Sequence, residues 1–206
     1  YVLILSMISL FVIFIGVMGW NFPLSKWFIQ KNGMIVRIVT ANVGAQANVY
    51  RLGKYLNQIE ADVVVLQEAS EGAQAILKNS LPGQWDFLFQ DGFVLASRYK
   101  IISTLEQSRS DFGGSGGIIA QYTLECPGEP IYLFNVHLET PREGVESMLY
   151  DSLTGIDEMK RVTETQERES HIAYEWVSRQ DKVIVAGDFN MSTINPIYQE
   201  YWSGYQ

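Results

Sequence analysis

Four apolar runs in this 206-residue chain end in polar groups whose types suit shared chemistry. Asn42 closes MIVRIVTAN, Gln67 and Glu68 close DVVVLQE, His137 nearly closes IYLFNVHLE, and Asp188 and Asn190 close KVIVAGDFN. In such runs the backbone is buried while the last side chains emerge at the rim, where sheets commonly gather a site. One polar strand end alone reads as an ordinary turn former. Four together raise the question of what they would do if adjacent. Glu68 is a hard oxygen ligand and Asn42 a neutral one, a pairing that suits Mg2+ with retained waters, or Mn2+, rather than a soft metal. His137 would donate a hydrogen bond to a phosphoryl oxygen, and Asp188 would orient or deprotonate a water. Asn190 would stabilise an anionic transition state without adding charge. That set describes metal-assisted phosphoester hydrolysis, in which Lewis-acid stabilisation offsets the repulsion between phosphate and carboxylates.

The elements that must position these groups follow from periodicity. MIVRIVTAN and DVVVLQE read as buried strands, and the helix between them, through ANVYRLGKYLNQI, carries Val49, Leu52, Tyr55, Leu56 and Ile59 on one face. A second helix is expected near Glu71 to Leu81. The middle of the chain alternates short strand-like runs, WDFLFQ, GFVLAS, KIISTLEQ, GIIAQYTLE and IYLFNVHLE, with breakers at Asp91-Gly92, GGSGG and Pro127-Gly128. These read as an antiparallel meander. A long polar helix covers about Glu158 to Gln180 as a solvated outer layer, packed through Val162, Ile172, Trp176 and Val177. Glu164/Arg168 and Glu175/Arg179 are spaced on it for same-face ion pairs. KVIVAGDFN is a further buried strand, and INPIYQEYW starts a last helical turn. Strands covered by helices, with an antiparallel middle, suggest sheets sandwiched between outer helices.

The front of the chain is different. From Tyr1 to Trp20 no residue is charged, and all 15 Lys and Arg and all 23 Asp and Glu lie at or beyond Lys26. A run of this length without a polar face spans the roughly 30 Å hydrocarbon layer as a helix, and Trp20 and Trp27 suit an interfacial belt. Residues 1–25 are therefore expected to be a transmembrane helix, 26–33 a linker and 34–206 the folded domain. Lys26, Lys31 and Arg37 hint at a cytoplasmic domain, but the side of the membrane stays open. Cys126 is the only cysteine, so no disulfide closes within the chain and a disulfide-stapled secreted fold is excluded.

RIVTANVG, VVVLQE, FVLASRYKI, FNVHLE and VIVAGDFN occur here in an order and spacing similar to the endonuclease/exonuclease/phosphatase superfamily. That superfamily includes abasic-site endonucleases, DNase I-like nucleases, neutral sphingomyelinases and inositol polyphosphate 5-phosphatases. The resemblance runs from about Met34 to the end of the sequence. It implies a four-layer α/β/β/α sandwich of two mixed sheets flanked by helices, and a divalent-metal phosphodiesterase or phosphatase. Glu68 resembles the family's metal-binding glutamate and Asn42 the amide beside metal and phosphate. His137 is similar to the histidine on the scissile phosphate, and Asp188 and Asn190 to the pair that positions water and substrate. Gln67 reads as a support beneath the site, and Arg98 as either a rim residue or a structural one. Family members normally add a later Ser-Asp-His-like segment. Nothing after Asn190 offers one, and His171 lies inside the polar helix, so a C-terminally truncated domain is expected.

Other signals are discounted. DFG at Asp111 to Gly113 lacks an accompanying nucleotide loop, and GGSGG reads as a mobile hairpin loop before a phosphate cradle. The net charge of -8, with no Lys/Arg cluster, disfavours duplex DNA as a partner. A tether to the bilayer makes a lipid or other membrane-proximal phosphoester the expected substrate. The competing reading is a membrane-tethered binding module of the same fold that lacks turnover.

Overall fold

The structure, a computed structural model, describes residues 6, 7, 9, 35–44, 49–150 and 152–205. The expected span and linker fall almost entirely outside the described residues. Among the described residues, no helix is long and apolar enough to cross a membrane.

Two four-stranded sheets lie in the compact unit Ile35–Asn190. The first has the order β1 (Ile38–Asn42), β2 (Val63–Gln67), β4 (Phe93–Ser97), β3 (Asp86–Gln90). β1 and β2 are parallel, while β4 is antiparallel to both β2 and β3. The second runs β5 (Lys100–Ser108), β6 (Gly117–Glu125), β7 (Ile131–His137), β8 (Val183–Asp188), antiparallel until the parallel β7–β8 pair. Both sheets are therefore mixed. Alternation sorts their faces: Val63, Val65, Phe93 and Leu95 of the first sheet meet Ala120, Tyr122, Leu124 and Leu133 of the second in one buried cluster. The intervening Val64, Leu66, Val94 and Ala96 point outward, onto Val49 and Leu56 of α1 (Val49–Gln58) and Ala73 and Leu77 of α2 (Glu71–Ser80). Beyond the second sheet, α3 (Arg142–Tyr150) pairs with α4 (Ser152–Val177), and α4 also touches β6. The arrangement is helix, sheet, sheet, helix, as the sequence implied.

Local chemistry sets the ends of the elements. Ser70 caps α2 by accepting from the Ala73 N–H. In the other compact unit, Asn195 accepts from Ile197 N–H at 2.8 Å and Pro196 opens α5 (Pro196–Tyr201).

Several expectations need correction. Tyr55 turns outward at 52% exposure, and Gly53 takes the buried place beside Leu56 because α1 packs closely on Ser80. β8 is half-exposed along its whole length rather than buried, because an edge strand is paired only by β7. The polar helix begins at Ser152, and α3 before it has no counterpart in the reading above. Glu164 pairs with Lys160 at 3.8 Å, while Arg168 lies over the Phe112 ring; the Glu175–Arg179 pair is present at 4.0 Å. The GGSGG stretch belongs to a closed turn: Arg109 N–H donates to Gly116 O and Gly114 N–H to Arg109 O.

One half-buried acid predicts a pH effect. Glu106 stands opposite Ala120, and its carboxyl is pushed up from 4.5 to about 7 by burial first and then by Asp91. Between those two values the folded chain holds a proton that the unfolded chain releases. The resulting stabilisation is complete below about pH 4.5 and is lost as pH rises through about 7. Glu106→Gln removes this part of the decline. Urea midpoints at about pH 5 and about pH 8 read it, and an unchanged difference between the two would rule Glu106 out as the group responsible.

Candidate active site

β1 and β2 run parallel, as do β7 and β8, and the register sets Asn42 opposite Gln67 and His137 opposite Asp188. β1 and β8, edge strands of different sheets, also touch each other. Their carboxyl ends therefore open at one mouth of the sandwich. Side chains alternate there. Gln67 turns inward and is 1% exposed, donating to Thr40 Oγ1 at 3.0 Å and to Asn135 Oδ1. Glu68, the next residue, faces the mouth from a left-handed backbone with φ 50°. Asn190 holds a similar conformation with φ 51°. Non-glycine residues are costly in this region and persist where surrounding bonds hold them.

Those bonds bring together all five residues singled out from the sequence. Asn42 Nδ2 donates to Glu68 Oε1 at 2.8 Å and to Asp188 Oδ2 at 2.9 Å. His137 Nε2 stands 3.4 Å from Glu68 Oε1. Asp188 Oδ1 accepts from Asn190 N–H at 3.0 Å, and Asn190 Nδ2 donates to Leu138 O at 2.8 Å. The last contact ties the turn after β8 to the segment that follows β7. Arg98 lies elsewhere, at the end of β4 away from the mouth. Its guanidinium sits 4.6 Å from the Trp85 ring centroid and its Nε donates to Ala61 O.

Burial, and then the nearby Arg109 charge, lower the His137 pKa; Glu68, Asp188 and Glu139 oppose the shift. The imidazole is thus neutral near pH 7, able to donate one hydrogen bond and accept another. Beside it opens a cleft of about 300 Å³, lined by Glu68, Gly114, Ser115, His137, Thr140 and Arg161 among others.

The donor set fits a hard cation. Two carboxylates from segments far apart in sequence reach the same amide nitrogen, and oxygen donors of this kind suit Mg2+ held through one or two carboxylates and water. Here Asn42 Oδ1 accepts from Gly44 N–H at 3.1 Å, so Asn42 meets an ion through oxygen only with its amide turned over. Among the described residues, no group of three His, Cys, Asp or Glu side chains is gathered tightly enough to hold a metal alone.

The sequence profile of the Endonuclease/Exonuclease/phosphatase family matches residues 39–204. The chain belongs to this family. Solved structures share its fold at low identity. A hairpin-deletion mutant of beta toxin from Staphylococcus aureus is 15% identical with a TM-score of 0.54, the match covering 82% of this chain and 72% of the toxin. A mannosyl-6-phosphatase from Bacteroides thetaiotaomicron is 12% identical with a TM-score of 0.57, covering 82% and 71%. D. rerio TDP2, solved with a single-strand DNA product, is 18% identical with a TM-score of 0.58, covering 81% of this chain and 64% of that one. No curated protein matches the sequence.

This family member also carries polar residues near the mouth that the sequence reading passed over. Asn135, fully buried inside β7, accepts from Gln67 and donates to Leu66 O at 3.2 Å. An amide inside an apolar run was the available signal. Gln166, Glu169 and Ser170 are buried on α4, in register with buried Val162, Ala173 and Val177. The three- and four-residue spacing of that stripe was legible, but the helix's polarity pointed to solvent.

Proposed function

We propose that this chain is a phosphoester hydrolase that uses a divalent cation and water, acting on a membrane-proximal substrate. The observation that carries the hydrolase reading is the convergence of Asn42, Glu68, Asp188 and Asn190 through hydrogen bonds, with His137 3.4 Å from Glu68, at one mouth of a family fold. Two similar structures, one a phosphatase and one holding a DNA product, lie within the same reaction class.

In this reading Glu68, with Asn42 beside it, holds the cation. When bound, Mg2+ or Mn2+ supplies charge neutralisation and Lewis-acid polarisation at the phosphoryl group. Neutral His137 donates to a phosphoryl oxygen from the floor of the cleft. Asp188, kept in place by Asn42 and by the Asn190 N–H, orients water and takes its proton. Asn190 ties the turn after β8 to Leu138 O so that Asp188 stays at the mouth, and the second hydrogen of its amide is the one left to meet a developing anion without adding charge. The uncharged run Tyr1–Trp20 supports a membrane anchor through residues 1–25, and the net charge of -8 argues against gripping duplex DNA.

The test is hydrolysis of bis(p-nitrophenyl) phosphate by the full chain with Mg2+, with Mn2+ and with EDTA. Activity is expected only with metal, and His137→Ala is expected to lower kcat by about 100- to 1,000-fold, the cost of losing one donor to the developing charge. Metal-independent turnover, or an unaffected variant, overturns the reading. A parallel assay on a phosphodiester lipid in vesicles tests the location: deleting residues 1–25 should lower the vesicle rate and leave the soluble-substrate rate unchanged.

A further inference from the structure

We propose that the buried Arg109–Glu169 pair positions the site, holding the backbone of His137 to Glu139 so that the imidazole stays against Glu68. This rests on the hydrolase reading of that site. Arg109 belongs to a single 3₁₀ turn (Arg109–Phe112) after β5, and Glu169 to α4. The two are 8% and 2% exposed. The guanidinium grips the carboxylate with two bonds, Nε to Oε1 at 2.7 Å and Nη2 to Oε2 at 3.0 Å. Its Nε also lies 3.6 Å from the Glu139 carboxylate, and its other contacts go to backbone: Nη2 donates to His137 O and Nη1 to Gly117 O at 3.1 Å. Glu169 Oε2 in turn accepts from Glu139 N–H at 2.7 Å. One turn earlier on α4, Gln166 Nε2 donates to Glu139 O at 2.7 Å and to Asn190 O at 3.2 Å. Three buried polar side chains thus bind the backbone of both segments that carry site residues, where β7 has run out of strand partners.

A stability role alone does not account for this. A buried ion pair contributes little net stability compared with apolar residues of similar size, because desolvation offsets the attraction. Apolar side chains would seal α4 onto the sheet equally well. They would not hold His137 O and Glu139 N–H in fixed directions, and the bidentate geometry of arginine does. Burial pushes the Glu169 carboxyl up, against the pull of Arg109.

The experiment compares wild type with Arg109→Lys and with the double variant Arg109→Met/Glu169→Leu, using bis(p-nitrophenyl) phosphate and Mg2+. Lys182→Gln, which removes the exposed ion pair with Glu129, serves as control. Arg109→Lys should stay folded, with a somewhat lower thermal midpoint, keep its KM and lose about 10- to 100-fold in kcat, the cost of misplacing a reacting group by a fraction of an ångström to an ångström. The double variant should fold and lose at least as much, while the control stays unchanged. A folded Arg109 variant with wild-type kcat overturns the proposal, and so does unfolding of both variants, which would make the pair a stability element. A wild type without hydrolytic activity would fail the hydrolase reading instead. The positioning claim is then decided by ring resonances of 15N-labelled histidine. The chain has only two histidines, so His137 is assigned by comparison with His171→Asn. One sharp His137 set in wild type that broadens or splits in Arg109→Lys supports the claim, and unchanged signals overturn it.

Discussion

Asp188→Asn lowers kcat toward bis(p-nitrophenyl) phosphate by about 100- to 10,000-fold with little change in KM or thermal midpoint. The substitution keeps the volume and one acceptor, so the bond from Asn190 N–H to Oδ1 survives. What changes is the other oxygen. Oδ2 accepts from Asn42 Nδ2, and an amide there sets two NH2 groups against each other. Turning the Asn42 amide over relieves that clash but removes its bond to Glu68 Oε1. The variant also has no carboxylate to take a proton from water. A fall confined to kcat places Asp188 in the chemical step. A rise in KM with unchanged kcat would assign it to substrate binding and remove the proposed base.

Gly187→Ala destabilises the chain by more than about 4 kcal/mol, the range reserved for severe overpacking or strain. A Cβ at this position would lie 2.0 Å from Val136 O and 2.6 Å from Val136 N, distances no side-chain rotation can relieve because both atoms are backbone. Its φ of 147° adds a conformation that residues with a side chain rarely adopt. Gly187 pairs with Val136 in the parallel β7–β8 ladder, one step before His137 meets Asp188. Relief of the overlap therefore has to separate the two strands whose ends carry the site. Urea midpoints quantify the loss, and any folded fraction should show a reduced kcat as well. A midpoint within about 1 kcal/mol of wild type would mean that β7 and β8 lie further apart than described.

The contrast between β2 and α4 explains why some of the molecule was legible beforehand. VVVLQ is an unbroken apolar run with one amide at its end, and it is the fully buried inner strand that such a run specifies. KVIVAG carries the same signal, yet β8 is half-exposed, because apolar runs report strand propensity and not position within a sheet. On α4 the signal pointed the wrong way. Gln166 and Glu169 read as solvated, but they are buried because strand-end carbonyls and an N–H need partners there. Arg109 had no local signature. Its burial depends on Glu169, sixty positions away.

By itself the sequence determined most of the strand and helix pattern and the family, picked out Asn42, Glu68, His137, Asp188 and Asn190 as candidates, and excluded a disulfide within the chain. These are local properties, carried by side-chain periodicity and by residue type at strand ends. Only the tertiary structure decided that Asn42 donates to both carboxylates, that Arg98 belongs to the far end, and that Arg109 and Glu169 lie beneath His137. Each of those depends on how two sheets and an outer helix stack, and the partners of a buried charge are chosen by that stacking rather than by neighbours along the chain.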